Sequence, residues 1–126
     1  MSLEKSLSDS NVYVFGQNVC GCLGLGGDEV FHGGTWKEVH TPVRFHVDNI
    51  TWAQIECGGY VTVALSNNGE VFACGTGQFY QLGHGDRNSR NVPTKVEIPC
   101  GEKIVKVACG FRHAAALTGD GKLFTW

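Results

Sequence analysis

The chain has 126 residues, a formal net charge of −2 and 18 glycines against 3 prolines. This length allows one domain at most, and the small negative charge makes nucleic acid an improbable partner, because surfaces that bind phosphates need clustered lysines and arginines. There is no apolar run of about 18 residues that would span a membrane and no apolar segment of a signal peptide, so we expect an intracellular protein of the cytoplasm or nucleus, without membrane insertion.

The first group of predicted elements extends to residue 74. A disordered tail over residues 1–11 precedes a leading strand over 12–15, and an inserted loop over 27–41 follows. Four predicted strands come next, and the first two show the alternation of apolar and polar residues that is typical of half-buried strands. These strands cover residues 43–47, 53–57, 61–65 and 70–74. The turn at Asn68-Gly69 between the last two is a hairpin signal, because both residue types accept positive φ.

Residues 75–126 repeat this pattern. The segment ending at Cys57-Gly58 aligns with the one ending at Cys109-Gly110, and residues 16–26 align with residues 75–85. The segment around 113–117 is rich in alanine and has helical propensity, but its place in the repeat before an Asp-Gly turn predicts a strand. The strands of this second copy cover residues 94–98, 103–109, 114–118 and 122–126.

Four antiparallel strands in each repeat of about 50 residues are typical of a propeller blade. We therefore predict an all-β partial β-propeller of two four-stranded blades plus one extra N-terminal strand. The leading strand and first blade occupy residues 12–74, and the second blade occupies 75–126. Among other propeller families, kelch-type blades fit better than WD-type blades, because Gly58-Gly59-Tyr60 resembles the kelch double glycine. Gly110-Phe111-Arg112 in the second copy does not repeat this doublet.

Short motifs occur in the same order in both copies. They are Cys22-Leu-Gly-Leu-Gly26, Pro42 and Cys57-Gly58 in the first, and Gln81-Leu-Gly-His-Gly85, Pro93, Val107-Ala-Cys-Gly110 and Gly121-Lys-Leu-Phe124 in the second. Together they resemble the regulator of chromosome condensation repeat, over residues 12–126. The resemblance implies a ring of about seven blades. Two repeats would then be a fragment of a longer protein, a truncated gene product, or a protomer that completes a ring by self-association.

The repeat signature has structural explanations. The leucines are expected to anchor loops, the glycines to allow left-handed backbone, and the cysteines to be small buried side chains. The signature residues are Gly16, Leu23, Gly24, Gly26, Cys57, Gly58, Gly69, Gly75, Leu82, Gly83, Gly85, Cys109, Gly110 and Gly121. The six cysteines are expected to be reduced, because the cytosol keeps thiols reduced and their spacing does not match a zinc site.

The chain contains no recognisable catalytic or cofactor motif. It has no phosphate-binding Gly-x-x-x-x-Gly-Lys loop and no Gly-x-Ser-x-Gly nucleophile elbow, and its histidines lack metal-ligand spacing. We therefore predict neither a catalytic residue nor a cofactor or metal, and we do not expect an enzyme.

Three groups of residues are candidates for protein binding. Phe31 and Trp36 lie in the inserted loop, where they either contact a partner or pack back onto their own blade. Arg87 and Arg90 belong to the only loose basic group. Arg112 and His113 either form a binding surface near the centre of the ring, or His113 bonds to the backbone of its own blade.

Two functions fit this sequence. The first is a protein–protein interaction scaffold, which needs no catalytic residues. The second, implied by the resemblance, is a guanine-nucleotide exchange factor for a small GTPase, or part of one. Such a factor would need a protruding wedge and a contiguous acidic face across several blades. The absence of a recognisable wedge favours the scaffold.

Overall fold

A computed structural model describes residues 11–26 and 38–126 of the chain. These residues form nine strands and one short 3-10 helix over Val19–Gly21. All strand pairs are antiparallel, which confirms the predicted all-β class. The strands are β1 (Val12–Gln17), β2 (Glu38–Phe45), β3 (Trp52–Cys57), β4 (Val61–Ser66), β5 (Val71–Gly75), β6 (Arg90–Val96), β7 (Ile104–Cys109), β8 (Ala114–Thr118) and β9 (Leu123–Thr125).

The strands group into sheets differently from the prediction. The sheets are β1-β2, then β3-β4-β5-β6, then β7-β8-β9, so one complete four-stranded blade lies between two parts of neighbouring blades. The predicted first blade contained β2, but β2 pairs with β1, and β6 closes the sheet that β3 begins. Each structural blade therefore begins one strand later than the sequence repeat, and the boundary predicted at residue 74 falls inside a sheet.

The two middle strands of the complete blade, β4 and β5, are buried on both faces, which explains why β4 lacks polar alternation. All six residues of Val61–Ser66 are buried. Val61, Val63 and Leu65 pack toward the third sheet, while Ala64 packs with Phe45 and Trp52 on the other side. A strand covered on both faces needs apolar side chains at successive positions. The central blade is thus held by two separate apolar clusters.

The two prolines of the repeat, Pro42 and Pro93, lie inside strands at equivalent irregularities of the ladder. The ladder between β1 and β2 shifts register between Val14 and Gly16, opposite Pro42. The ladder between β5 and β6 shifts in the same way between Ala73 and Gly75, opposite Pro93. Proline lacks the N–H that a regular ladder requires, so it fits at such a bulge.

Strand β2 also corrects the extent of the inserted loop. It begins at Glu38, so the last four residues of the predicted loop 27–41 belong to the strand. Gln17 pairs with Glu38 and Gly16 with Val39, which extends the ladder beyond the bulge. The rest of the insertion and the predicted tail, except Asn11, lie outside the described residues.

The signature residues fall into three structural groups. Eight signature glycines have positive φ and occupy equivalent places in the two copies: Gly16 and Gly75, Gly24 and Gly83, Gly26 and Gly85, and Gly69 and Gly121. Leu82 is buried in the core between the central and third sheets, and Leu23 is half-buried. Gly58 and Gly110 meet where the turn after β3 approaches the turn after β7: a Cβ on Gly58 would lie 2.1 Å from the Gly110 carbonyl oxygen.

The cysteines are all free thiols, but the predicted burial of the signature pair is wrong. Cys57 is exposed and Cys109 is only half-buried, whereas Cys22 and Cys74 are buried. Cys57 and Cys109 are the last residues of β3 and β7, so their side chains lie at the edge of the sheets rather than inside them. Burial raises the pKa of the Cys22 thiol to about 11, and it also raises the pKa of the Cys74 thiol.

The alternating strand directions place the connections at two opposite ends of the sheets. One end carries the described residues 18–26, 58–60, 76–89 and 110–113 together with Arg90 at the start of β6, and we call it the arginine end. The other carries residues 46–51, 67–70, 97–103 and 119–122, and we call it the carboxylate end. In the described part of the chain, no helix has the length and apolar character needed to cross a membrane.

Candidate protein-binding site

Three exposed aromatic rings and one arginine lie together at the arginine end. The guanidinium carbon of Arg112 is 4.3 Å from the ring centroid of Phe79 and 5.5 Å from that of Phe111. Tyr60 lies beside them and lines the same cavity. These four residues form what we call the aromatic–arginine cluster. A cation over an aromatic face is attracted by the ring quadrupole, so the two phenylalanines hold the guanidinium in place.

The cluster exposes much more apolar surface than an isolated surface side chain. Tyr60 is 41% exposed, Phe79 51% and Phe111 64%. Between them opens a cavity of about 180 Å³, which Gly59, Gln78 and Arg112 also line. Adjacent exposed aromatics around a cavity are typical of a surface that contacts another molecule.

The glycine pair after β3 allows the cluster to form. A Cβ on Gly59 would lie 2.6 Å from the Phe111 ring and 2.6 Å from the Phe111 carbonyl oxygen. Phe111 occupies the equivalent place in the second copy, so its ring packs over the small residue of the preceding blade. The two copies therefore differ at the position where they contact each other, with Gly59 in the first and Phe111 in the second. This difference lets the Phe111 ring take its place in the cluster.

The loop after β5 is held by its own polar contacts. The Phe79 N–H donates to Gln81 Oε1 at 2.7 Å, and the Gly77 N–H donates to Ser89 Oγ at 3.2 Å. Gln81 itself is buried. Phe79 is thus presented on an anchored loop, and ordering it on binding a partner costs little additional entropy.

Arg90 has a structural partner, which differs from the role predicted for it. Its terminal nitrogens donate to both carboxylate oxygens of Asp86, at 3.2 and 2.8 Å, and to the Asn88 carbonyl at 2.9 Å. The hydrogen bond from Arg90 also lowers the pKa of the Asp86 carboxyl below its usual value. Arg87 uses only its Nε, which donates to the Gln78 carbonyl at 2.9 Å, and its side chain remains exposed.

Arg112 and His113, predicted as a pair, have different surroundings. Arg112 belongs to the cluster and has no hydrogen-bond or ion-pair partner within residues 11–26 and 38–126. The His113 ring lies against Gly110, where a Cβ would come within 2.2 Å of His113 Cε1. The His113 backbone carbonyl accepts the Gly110 N–H at 2.8 Å. His113 therefore shapes the turn after β7 and lies outside the cluster.

Sequence reasoning selected one of the four cluster residues. Tyr60, Phe79 and Phe111 were not predicted, although a signal was present: Gln78-Phe-Tyr-Gln81 aligns with Val19-Cys-Gly-Cys22, which has no aromatic residue. Phe31 and Trp36 lie outside the described residues. Among the residues that the structure does describe, no group of three or more His, Cys, Asp or Glu could hold a metal ion.

A second, larger cavity of about 290 Å³ lies at the carboxylate end. Its walls come from the turns between β4 and β5 and between β6 and β7, and they include Glu70, Glu97, Glu102 and Lys103. Charges of both signs surround it, and aromatic side chains are absent from its described walls. The two ends of the sheets thus differ in chemistry as well as in shape.

Comparison with known proteins shows which family shares this arrangement. The family described as "Regulator of chromosome condensation (RCC1) repeat" matches residues 9–65 and 68–117. The chain is 36% identical over 117 residues to the probable E3 ubiquitin-protein ligase HERC4 of Homo sapiens, covering 93% of this chain and 10% of HERC4. It is 36% identical over 121 residues to the secretion-regulating guanine nucleotide exchange factor of Bos taurus, covering 94% of this chain and 24% of that protein.

Solved structures give the same fold. The crystal structure of Prp20p from Saccharomyces cerevisiae superimposes with a TM-score of 0.77 at 25% identity, covering 94% of this chain and 29% of that one. That structure was reported together with the binding of Prp20p to Gsp1p and histones. The chain thus spans less than a third of each of these three proteins.

Proposed function

Because the chain belongs to the regulator of chromosome condensation (RCC1) repeat family, we propose that it is a protein-binding module that contacts its partner through the arginine end. The aromatic–arginine cluster carries this proposal. Arginine and aromatic residues are enriched where proteins bind each other, and they contribute most of the binding energy at such sites. A blade scaffold that holds these side chains on anchored loops suits this role.

The proposal requires no catalytic residue in the repeats. HERC4 carries the name of a ligase, but the region that matches this chain is only 10% of it. A scaffold that binds a substrate or regulator for a larger enzyme would have the same exposed cluster. Six free thiols are also consistent with a reducing compartment, which supports an intracellular location.

Photo-crosslinking tests where a partner binds. A photoreactive phenylalanine at position 111 would replace an exposed ring of the cluster, and the same residue at position 101 would probe the carboxylate end. Gly101 has open space around it, so the control substitution is tolerated. In extracts of the organism's own cells we expect a discrete crosslinked protein from position 111, lost in Arg112→Gln. Equal crosslinking from both positions, or none from position 111, would contradict the proposal.

Guanine-nucleotide exchange is the second candidate function. The bovine exchange factor is a relative, and the carboxylate end offers the acidic surface that this activity would need. That end carries Asp48, Glu70, Glu97, Glu102 and Asp120 against Lys103 and Lys122. The test is release of fluorescent GDP from a panel of purified small GTPases. Accelerated release that Glu97→Gln reduces and Arg112→Gln leaves unchanged would favour exchange over the scaffold.

A further inference from the structure

Among the described residues, the guanidinium of Arg112 has aromatic neighbours but no carboxylate partner. Phe79 and Phe111 contact it, and no carboxylate of the described residues pairs with it. The N–H groups of this guanidinium have no hydrogen-bond acceptor among the described residues, so they remain available to a partner. Arg112 can therefore accept a bidentate carboxylate in the plane of its five donors.

The charges around Arg112 favour an acidic occupant. Within the arginine end, the described charged residues are Arg87, Arg90 and Arg112 against Asp86 and against Glu38 at the start of β2. Asp86 is already held by Arg90 in a two-bond pair. Arg87 and Arg112 thus have no carboxylate partner among the described residues. Two such charges are too few for a phosphate backbone, whose binding uses many more.

The cavity beside Arg112 has room for one side chain. Its volume is about 180 Å³, and a cavity of about 150 Å³ can hold a benzene molecule. Small-molecule sites are generally larger, at about 300 Å³ or more. The rings of Tyr60, Phe79 and Phe111 supply apolar contacts for such a group. The cavity and the free guanidinium edge are thus adjacent features of one site.

From this juxtaposition we infer that the partner presents a segment in which an Asp or Glu neighbours one large apolar side chain. The carboxylate accepts hydrogen bonds from Arg112, and the apolar side chain fills the cavity between Tyr60, Phe79 and Phe111. This inference rests on the proposed protein-binding function and specifies the chemistry of its partner. The carboxylate would occupy only Arg112 and the apolar side chain only the cavity, so both should be needed for tight binding.

Fluorescence anisotropy with three ten-residue peptides tests this inference. The first peptide has a central Phe flanked by Asp and Glu in a Gly-Ser background, the second replaces the acids with Asn and Gln, and the third replaces Phe with Ala. We expect the first to bind about tenfold more tightly than either of the others, and less tightly as salt increases. Arg112→Gln should remove the preference for acids and retain the preference for Phe.

Two further variants show whether the effects are local. Arg44→Gln removes an exposed arginine from β2, outside the cluster, and should bind like the unaltered chain. Phe79→Ala should remove the preference for Phe. Equal affinity for all three peptides, binding of none of them, or an unchanged acid preference in Arg112→Gln would overturn the inference. Crosslinking of a protein at position 111 alongside such a result would leave the proposed docking function standing.

Discussion

Gly75 ends β5 with a φ of +112°, in the region that only glycine enters easily. A Cβ there would lie 2.1 Å from the Tyr60 carbonyl oxygen, which belongs to the turn that carries the cluster. Gly75→Ala should therefore lower the free energy of unfolding by more than about 1 kcal/mol, from backbone strain and this clash. Urea denaturation followed by circular dichroism measures the loss.

Gly101 provides the matched control for this substitution. It has no positive φ and no atom within 4 Å of a Cβ, so Gly101→Ala should change the free energy of unfolding by less than about 0.5 kcal/mol. If the two alanine variants unfold at the same urea concentration, the backbone geometry of Gly75 at the end of β5 does not contribute to the free energy of unfolding.

The cysteines should react in an order set by their burial. Cys57 is exposed, whereas Cys74 is 0% exposed and burial raises the pKa of its thiol, so little thiolate forms there. Brief treatment with iodoacetamide at pH 8 should alkylate Cys57 first, and Cys22 and Cys74 should react only after unfolding. Peptide mass spectrometry identifies the modified positions. Early alkylation of Cys74 in the folded chain would contradict the burial that the fold assigns to β5.

At the scale of strands, the contact between Gln54 and β7 joins two blades. Gln54 Nε2 donates to the Val107 carbonyl at 2.8 Å, and the Val107 N–H donates to Gln54 Oε1 at 2.9 Å. Val107 is buried, so removing the amide leaves two backbone groups without partners. Gln54→Ala should cost about 2–4 kcal/mol of unfolding free energy, because each unpaired buried group costs about 1–3 kcal/mol.

Gln78→Ala serves as the control for this prediction. Gln78 is exposed, and its side chain makes no hydrogen bond within the described ranges 11–26 and 38–126. The unfolding transition of Gln78→Ala should match that of the unaltered chain. Equal transitions for Gln54→Ala and Gln78→Ala would mean that the side-chain bridge between β3 and β7 adds nothing to the joint between blades.

The elements also show what a sequence reveals about this fold and what it leaves undetermined. Alternation and the Asn68-Gly69 and Asp120-Gly121 turns indicated where the strands lie, because both are local properties of the chain. They could not indicate whether β2 pairs with β1 or joins the sheet of β3, because the local pattern of β2 fits both arrangements. The partnership of β1 with β2 depends on contacts between distant parts of the chain.

The aromatic–arginine cluster could not be predicted from the sequence for a related reason. Gly59 and Phe111 occupy equivalent turns, yet they meet only because adjacent blades bring these turns together. Arg112 was selected as a polar residue beside His113, and its aromatic neighbours come from two loops that are remote in sequence. Comparison of Gln78-Phe-Tyr-Gln81 with its aromatic-free counterpart was the one local indication of the site.

At the scale of the whole molecule, the two ends of the sheets carry opposite character. Among the described residues, the arginine end has exposed rings and two arginines without a carboxylate partner, and the connections of the carboxylate end have five acidic residues against two lysines. Such polarity would favour an acidic partner at the arginine end and a basic partner at the carboxylate end, since complementary charge guides association and like charge opposes it. The scaffold hypothesis thus requires a partner at the arginine end, whereas the exchange-factor hypothesis requires one at the carboxylate end.

The central claim is tested most directly by the affinity between this chain and the partner protein identified by crosslinking at position 111. Isothermal titration calorimetry would compare the unaltered chain with Arg112→Gln at the arginine end and Glu97→Gln at the carboxylate end. Binding through the arginine end predicts that Arg112→Gln weakens affinity by about tenfold or more, while Glu97→Gln has no effect. Full affinity in Arg112→Gln together with a loss in Glu97→Gln would contradict the account and place the binding surface at the opposite end.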